Sequence, residues 1–98
     1  MITLIRSADF DQWLKKLRDA RAKARIAARL VSAQQGNFGE YRVLPAGVCE
    51  MKIDFGPGYR VYYTRRGSVV YVLLTGGEKS SQQQDIKRAI QMARELTE

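Results

Sequence analysis

Residues 51–63, MKIDFGPGYRVYY, decide the fold, because they hold two strand-like runs joined by a tight turn. Apolar and polar residues alternate up to Phe55, as expected of a strand with one buried face. Gly56, Pro57 and Gly58 then turn the chain, since glycine accepts a positive φ and proline fixes a φ that suits a turn. The residues after the turn run back as the partner strand. The stretch therefore predicts an antiparallel hairpin.

The hairpin brings charged and aromatic side chains to one face. A turn centred on Pro57 sets Asp54 opposite Arg60. It also sets Lys52 opposite Tyr62, and these side chains lie on the face away from the apolar positions. One interpretation is an ion pair between Asp54 and Arg60 on a solvated face, worth about 0.2–1 kcal/mol. The other is a phosphate site, in which Arg60 grips phosphate oxygens, Lys52 adds charge and Tyr62 stacks on a base. The pattern alone favours the ion pair.

A second turn and an apolar strand follow the hairpin. RRGS at residues 65–68 turns the chain into VVYVLL at residues 69–74, which is apolar on both faces, as in a central strand. TGGEK at residues 75–79 leads to the last helix, which we expect to begin at Ser80 with Gln83 as its capping-box partner. These runs predict a three-stranded antiparallel meander followed by a helix.

The glycine pair Gly76 and Gly77 has two interpretations. Small residues let a ligand backbone approach, and Lys79 would then join Arg60 and Lys52 at the same site. The alternative is an ordinary connection between a strand and a helix, which is the commoner meaning of such a stretch. Lys79 is therefore a candidate site residue at the end of the strand.

Before the hairpin, the sequence predicts a short strand and two helices. ITLI at residues 2–5 suits a strand, and Ser7 offers a cap for a helix with one apolar stripe. Asp19 offers a cap for a second helix, which ends at the glycine in QQGN, residues 34–37. The predicted order is strand, helix, helix, three or four antiparallel strands and helix. This order indicates an α+β fold with one domain over residues 1–98.

The second predicted helix carries a row of arginines. Arg21, Arg25 and Arg29 follow one another at four-residue spacing, which places them on one face. A charge run of this kind is usually a solvated face. Residues 20–36 contain no acidic side chain, however, so nothing local offsets the repulsion between these charges. An anionic partner, RNA or an acidic protein, is the alternative interpretation.

Composition limits the classes of function. The chain has 98 residues, 17 basic against 10 acidic side chains and a formal charge of +7, a balance that favours anionic partners. No apolar run is long enough for a membrane span, and a single cysteine allows no internal disulfide, so we expect a cytoplasmic protein. There is no histidine, which removes the usual general base and, with one cysteine, any Cys/His metal site. We expect no metal and no cofactor.

Two stretches together resemble the small toxins of the RelE/ParE superfamily. They are GNFGEYRVLPAGVCEMKIDFGPGYRVYY at residues 36–63 and LLTGGEKSSQQQDIKRAI at residues 73–90. The closest resemblance is to the HigB-like branch, often labelled "addiction module killer protein". The resemblance covers nearly the whole chain, including the two predicted helices. It implies the RelE-like fold, a twisted antiparallel sheet with an N-terminal helical hairpin and a C-terminal helix.

The resemblance also implies a toxin of a toxin–antitoxin system. RelE and many HigB-like members are mRNA interferases, endoribonucleases that cleave mRNA in the ribosomal A site and so inhibit translation. ParE members instead poison DNA gyrase and are not nucleases. In both groups a cognate antitoxin neutralises the toxin, and in HigB systems it often carries a helix-turn-helix. The implied partners are therefore the ribosome with its mRNA, or alternatively gyrase, together with an antitoxin.

The family pattern assigns roles to individual residues. Arg60 matches the arginine that contacts the scissile phosphate in nuclease members. Lys79 matches a basic residue after the last strand, and Lys52 a basic position on the preceding strand. The helical arginines would dock on ribosomal RNA. The chain departs from the pattern at Asp54, where some nucleases have a second lysine, and in residues 80–89, which lack the tyrosine or histidine of others.

Overall fold

The predicted hairpin lies within a five-stranded sheet whose strand order is β1-β5-β4-β3-β2. The computed structural model describes residues 1–97. In chain order, its elements are β1 (Thr3–Arg6), α1 (Ala8–Lys16), α2 (Ala20–Gln34), β2 (Tyr41–Val43), β3 (Val48–Ile53), β4 (Tyr59–Arg65), β5 (Val70–Glu78) and α3 (Gln82–Thr97). The predicted α+β class and the order of elements are confirmed.

The sheet is mixed, whereas the sequence predicted an antiparallel one. Strands β2 to β5 pair in antiparallel fashion with their neighbours, which confirms the meander. Strand β1 joins the outer edge of β5 in parallel, with Ile5 aligned to Val72. No hairpin turn links β1 to β5, so nothing local in the sequence fixes their relative direction. No helix within residues 1–97 is both long and apolar enough to cross a membrane.

The two faces of the sheet are covered by different helices. Helices α1 and α2 pack on one face through their predicted apolar stripes. The buried residues of this layer include Phe10, Ala22, Ile26, Met51, Val61, Tyr63 and Leu73. Helix α3 packs on the other face through Ala89 and Ala93, against Val48, Tyr62, Val72 and Leu74. Part of the face that the hairpin pattern marked as solvated is therefore a second core.

The predicted starts of the first two helices are confirmed. The Ser7 hydroxyl accepts a hydrogen bond from the backbone N–H of Phe10 at 3.0 Å, and Asp19 accepts one from Arg21 at 2.9 Å. Gly36, with a φ of 94°, follows the end of α2 as predicted. Each cap satisfies backbone groups that a helix end leaves without a partner within the helix.

The predicted start of the last helix is wrong. Residues Lys79–Ser81 form one 3-10 turn, and α3 begins at Gln82 rather than at Ser80. Glu78 and Ser81 form the capping box in place of Ser80 and Gln83. The Ser81 hydroxyl also donates to Asp85 at 2.5 Å, which ties the 3-10 turn to the first turn of α3.

The predicted register of the hairpin is also wrong. Lys52, not Asp54, lies opposite Arg60, and Glu50 lies opposite Tyr62. The turn closes earlier than a turn centred on Pro57 would, because the backbone N–H of Gly58 donates to the carbonyl of Phe55 at 3.1 Å. Both flanking glycines have positive φ, 56° at Gly56 and 81° at Gly58. A shift of two residues keeps every side chain on its predicted face.

The turn between β2 and β3 contains a strained residue. Ala46 has a φ of 61°, the one positive value outside glycine within residues 1–97. An L side chain in this region costs roughly 1–2 kcal/mol. We therefore expect Ala46→Gly to raise the free energy of unfolding by about 0.5–1 kcal/mol, since part of the relieved strain is offset by the freedom of glycine in the unfolded chain.

Urea unfolding measures this difference. Ala28→Gly is the matched control, because Ala28 is an exposed residue inside α2, where glycine costs about 1 kcal/mol. An equal loss of stability in both variants would contradict the strain at Ala46.

Candidate functional site

A cleft of about 410 Å³ lies between the β2–β3–β4 face of the sheet and the start of α3. Its lining includes Arg42, Glu50, Lys52, Arg60 and Gln82. On the sheet these side chains occupy two adjacent rungs. One rung holds Lys52 and Arg60, and the next holds Arg42 and Glu50 with Tyr62 beside them. The sheet therefore presents a small group of charged side chains beneath the first turn of α3.

Arg60 is a buried cation with an unused donor. The residue is 6% exposed, its Nη1 donates to the carbonyl of Gly58 at 2.8 Å, and its Nε has no hydrogen-bond partner among residues 1–97. The ion pairs found within residues 1–97 are Arg6–Asp11, Arg42–Glu50 and Arg88–Asp9, so the predicted Asp54–Arg60 pair is wrong. A buried polar group normally has a partner, so the unpaired Nε of Arg60 is a cost to the fold that a purely structural role does not explain.

Lys52 makes the local charge more positive. It lies directly across the β3–β4 ladder from Arg60, and like charges in that position destabilise a sheet. Both side chains line the cleft. An arrangement that costs stability in the free protein becomes favourable when an anion lies between the two cations.

Lys79 lies at the same end of the hairpin, as predicted. It is exposed and begins the 3-10 turn after β5. A methyl group placed on Gly58 would lie 3.2 Å from Nη1 of Arg60 and 3.7 Å from Cβ of Lys79. The structure thus brings Lys52 and Arg60 together in the cleft and places Lys79 near the hairpin turn, outside the described lining of the cleft.

Tyr62 does not fit its predicted role in stacking. Its ring is fully buried under α3, and its hydroxyl donates to Glu50 Oε2 at 2.9 Å. Burial, followed by the hydrogen bond and charge of Glu50, raises the pKa of Tyr62 far above its usual range. The ring cannot receive a base in this structure. The prediction failed because the position of α3 over this face was not visible in the hairpin pattern.

The helical arginines divide into two kinds. Arg29 donates to the backbone carbonyls of Lys52 at 2.6 Å, Phe38 at 3.1 Å and Glu40 at 3.3 Å, so it fastens α2 to the sheet. It is held within the protein, contrary to its predicted role as a docking residue. Arg21 and Arg25 are exposed, and the guanidinium of Arg25 lies 4.9 Å from the centre of the Phe55 ring. These two remain available to an anionic partner.

The glycine pair serves packing and does not open a path for a ligand. A Cβ on Gly76 would lie 2.3 Å from the ring of Trp13, and one on Gly77 would lie 1.8 Å from Oδ2 of Asp85. Side chains of the protein thus occupy both faces of β5 at this point. The predicted connection between strand and helix is also wrong at these two glycines, because both lie within β5 and pair with β4.

Glu50 is a site residue that sequence reasoning missed. It is 4% exposed, and its carboxylate accepts hydrogen bonds from Arg42 Nε at 2.6 Å and Gln82 Nε2 at 3.0 Å, besides the Tyr62 hydroxyl. Desolvation alone would raise the pKa of Glu50, but these hydrogen bonds together hold that pKa below its usual value. Alternation placed Glu50 on a solvated face. Only the position of Gln82 on α3 reveals that it is buried.

The lowered pKa of Glu50 predicts an acid-dependent stability. Because the folded-state pKa lies below the unfolded one, the stabilisation is present above the usual glutamate pKa and is lost as pH falls through the folded value. We expect Glu50→Gln to flatten the decline of the free energy of unfolding in this acid range. Urea unfolding at a series of pH values measures the effect. If the free energy of unfolding falls with pH equally steeply in wild type and variant, Glu50 is not the cause of the decline.

The cleft is suited to binding anions and stabilising negative charge. Arg60 and Lys52 face each other, and Arg42 lies beside them. The pKa of Glu50 is shifted down and that of Tyr62 up, so neither group exchanges a proton near neutral pH. Within residues 1–97, no three histidine, cysteine or acidic side chains are grouped to hold a metal.

Comparison with known proteins gives one informative relative. No family model matches the chain. A protein of Haemophilus influenzae, described as uncharacterized, is 49% identical over 87 residues, which span 89% of this chain and 88% of that protein. At this identity and coverage the two chains share a fold and a family, but the description of the relative assigns no activity.

Proposed function

We propose that the chain, which belongs to the same family as the Haemophilus influenzae protein, is the toxin of a toxin–antitoxin system and cleaves mRNA on the ribosome. The resemblance of residues 36–63 and 73–90 to RelE/ParE toxins of the HigB-like branch supports this proposal. The observed order of elements agrees with the RelE-like fold that the resemblance implies. Fold agreement by itself does not specify an activity, so the proposal depends on the cleft.

The observation that carries the proposal is the state of Arg60. Its guanidinium is buried, has an unpartnered Nε and faces Lys52 across the ladder. A phosphate oxygen supplies the missing acceptor and offsets the repulsion between the two cations. Arginine is well suited to this task, because its planar guanidinium matches the geometry of phosphate oxygens.

The residues around the hairpin divide the chemistry of RNA cleavage between them. The 2′-oxygen of one nucleotide attacks the adjacent phosphorus, and the bond from phosphorus to the 5′-oxygen of the next nucleotide breaks. Arg60 and Lys79 stabilise the negative charge that grows on the phosphate oxygens. Lys52, as a cation, assists loss of the 2′-hydroxyl proton to water by stabilising the oxyanion that forms, and the departing 5′-oxygen takes a proton from water. The ribosome holds the mRNA in place, and this positioning supplies a large share of the rate.

Primer extension on a defined mRNA in a purified translation system tests the proposal. We expect cuts with the protein and ribosomes together and none when ribosomes are omitted. Cuts without ribosomes would indicate a free ribonuclease. Intact mRNA with active ribosomes present would remove the proposed activity altogether.

A second function, inhibition of DNA gyrase, is favoured by one observation. Neither Glu50 nor Tyr62 can act as a proton-transfer group at neutral pH and the chain has no histidine, so Glu40 is the one carboxylate left in the described lining of the cleft to act as a general base. A toxin that only binds its target needs no such group. A supercoiling assay with purified gyrase distinguishes the two functions, because a gyrase inhibitor blocks supercoiling and leaves mRNA intact.

Either function calls for a cognate antitoxin in the cytoplasm. The formal charge of +7 favours an acidic partner, since complementary charge increases the rate of association. Arg21 and Arg25 offer exposed cations for contact with ribosomal RNA. Binding to ribosomes should therefore weaken as the salt concentration rises.

A further inference from the structure

Arg42 lies next to the candidate phosphate position but has no role in the proposed function. It stands on the edge strand β2, directly opposite Glu50, one rung away from Lys52 and Arg60. Its side chain is 57% exposed, whereas that of Glu50 is 5% exposed. Arg42 thus extends from the edge of the sheet over the cleft and contacts a buried anion on the floor.

Most of the hydrogen-bonding capacity of Arg42 is unused. A guanidinium has five N–H donors, and in Arg42 the Nε–H donates to Oε1 of Glu50. Its terminal nitrogens make no hydrogen bond to any of residues 1–97. The other carboxylate oxygen of Glu50, Oε2, is already occupied by Tyr62 and Gln82. Arg42 is therefore attached to the buried network by one hydrogen bond, and its terminal N–H groups are free to bind an anion in the cleft.

We propose that Arg42 is a third phosphate-binding cation of this cleft. In the free protein its guanidinium is paired with Glu50, and it turns to the anion when one binds beside Arg60. The inference rests on the proposed function, because that function makes an mRNA phosphate the natural anion. Glu50 stays hydrogen-bonded to Tyr62 and Gln82 when Arg42 turns towards the anion, so the floor of the cleft remains intact. The ion pair between Arg42 and Glu50 competes with the anion and thereby limits its affinity.

The substitution Glu50→Gln removes the contact with Arg42 and keeps the contacts with Tyr62 and Gln82. The carbonyl oxygen of the substituted side chain can accept from both Tyr62 and Gln82, which turns its amide nitrogen towards Arg42. Two donors then face each other, and Arg42 is released while the remainder of the network is kept. The variant therefore mimics the state that the anion must otherwise produce by competition.

Titration of the isotope-labelled protein with inorganic pyrophosphate, followed by the NMR signals of the arginine Nε–Hε groups, tests the inference. We expect Arg42→Gln to weaken pyrophosphate binding about ten-fold and Glu50→Gln to tighten it about ten-fold, as a charge-assisted hydrogen bond is lost or gained. When Arg42→Gln and Glu50→Gln are combined, the gain in pyrophosphate affinity from Glu50→Gln should disappear. In wild type the Nε–Hε signal of Arg42 should shift together with that of Arg60.

Glu40→Gln is the matched control. Glu40 lines the same cleft, but it takes part in none of the ion pairs found within residues 1–97. Its removal should change the affinity by the same small factor whether or not Arg42 is present. The NMR spectrum of each variant reports its folding, and Arg42→Lys, which keeps the charge but not the fork, should bind more weakly than wild type.

Three results would overturn the role of Arg42. They are equal affinities of wild type and Arg42→Gln, a gain from Glu50→Gln that persists without Arg42, and no pyrophosphate binding by any variant. None of these results depends on mRNA cleavage. The role of Arg42 and the proposed function can therefore fail separately.

Discussion

Replacing Arg60 with glutamine is expected to lower ribosome-dependent mRNA cleavage at least about 100-fold, because removing one group that stabilises transition-state charge typically costs this much. Arg60 is the buried cation of the cleft, and its Nε is unpartnered. Glutamine keeps a polar side chain at the position, but it has no charge and cannot donate the two parallel hydrogen bonds of a guanidinium. The step affected is the chemical one, so binding to ribosomes should change little.

The same substitution should leave the fold intact. In the free protein, Arg60 faces Lys52 and carries a donor without an acceptor, and both features are unfavourable. Their removal offsets the loss of the hydrogen bond to Gly58. We therefore expect the free energy of unfolding to stay constant or rise, by up to about 1 kcal/mol. A side chain whose removal does not weaken the fold is better explained by a ligand than by packing.

Arg65→Gln is the matched control for Arg60→Gln. Arg65 lies on the same strand and is exposed, and within the described part of the chain its side chain donates only to the carbonyls of Gly67 and Ser68 in the neighbouring turn. Primer extension measures cleavage, and urea unfolding measures stability. Equal cleavage by wild type and Arg60→Gln would remove Arg60 from the chemistry. A large loss of stability would mean instead that Arg60 is a structural residue.

What the sequence predicted correctly was set by neighbours along the chain. The caps at Ser7 and Asp19 each depend on a few consecutive residues. The meander follows from two turns whose residues are visible in the sequence. These caps and turns are kept in the folded protein because the tertiary contacts favour the same local conformations.

What the sequence missed was set by contacts between distant segments. Tyr62 and Glu50 looked solvated because nothing near them in the chain indicates that α3 covers their face. Arg29 looked free because its acceptors lie on a different part of the chain. The parallel direction of β1 was missed for the same reason. Lys52 and Arg60 nevertheless lie on the predicted face of the hairpin, since a two-residue shift in register preserves the face of each side chain, and Lys79 follows at the end of β5.

The two largest errors also explain how the cleft is built. Glu50 and Tyr62 form a buried polar floor that fixes α3 through Gln82. A network with all its members hydrogen-bonded is rigid, whereas Arg60 beside it is left incomplete. The contrast between a satisfied floor and an unsatisfied cation is the reason for placing the proposed phosphate at Arg60 rather than elsewhere in the cleft.

The sheet is held to α1 at Gly76, and we expect Gly76→Ala to lower the free energy of unfolding by about 1–3 kcal/mol, as overpacking of a core does. A Cβ there would lie 2.3 Å from the Trp13 ring. That ring cannot withdraw easily, because it packs against fully buried Phe10 at 5.8 Å and against Tyr59 at 6.4 Å between ring centres. The backbone or the helix must move instead.

Gly77→Ala gives the comparison that tests this reasoning. Its Cβ would come even closer to another atom, 1.8 Å from Oδ2 of Asp85, but a carboxylate at the end of a side chain can rotate away. The cost is then the hydrogen bond between Ser81 and Asp85, about 0.5–1.5 kcal/mol. Urea unfolding of both variants should show the larger loss at Gly76. The opposite order would mean that the distance of approach, and not the freedom of the neighbour to move, determines the cost.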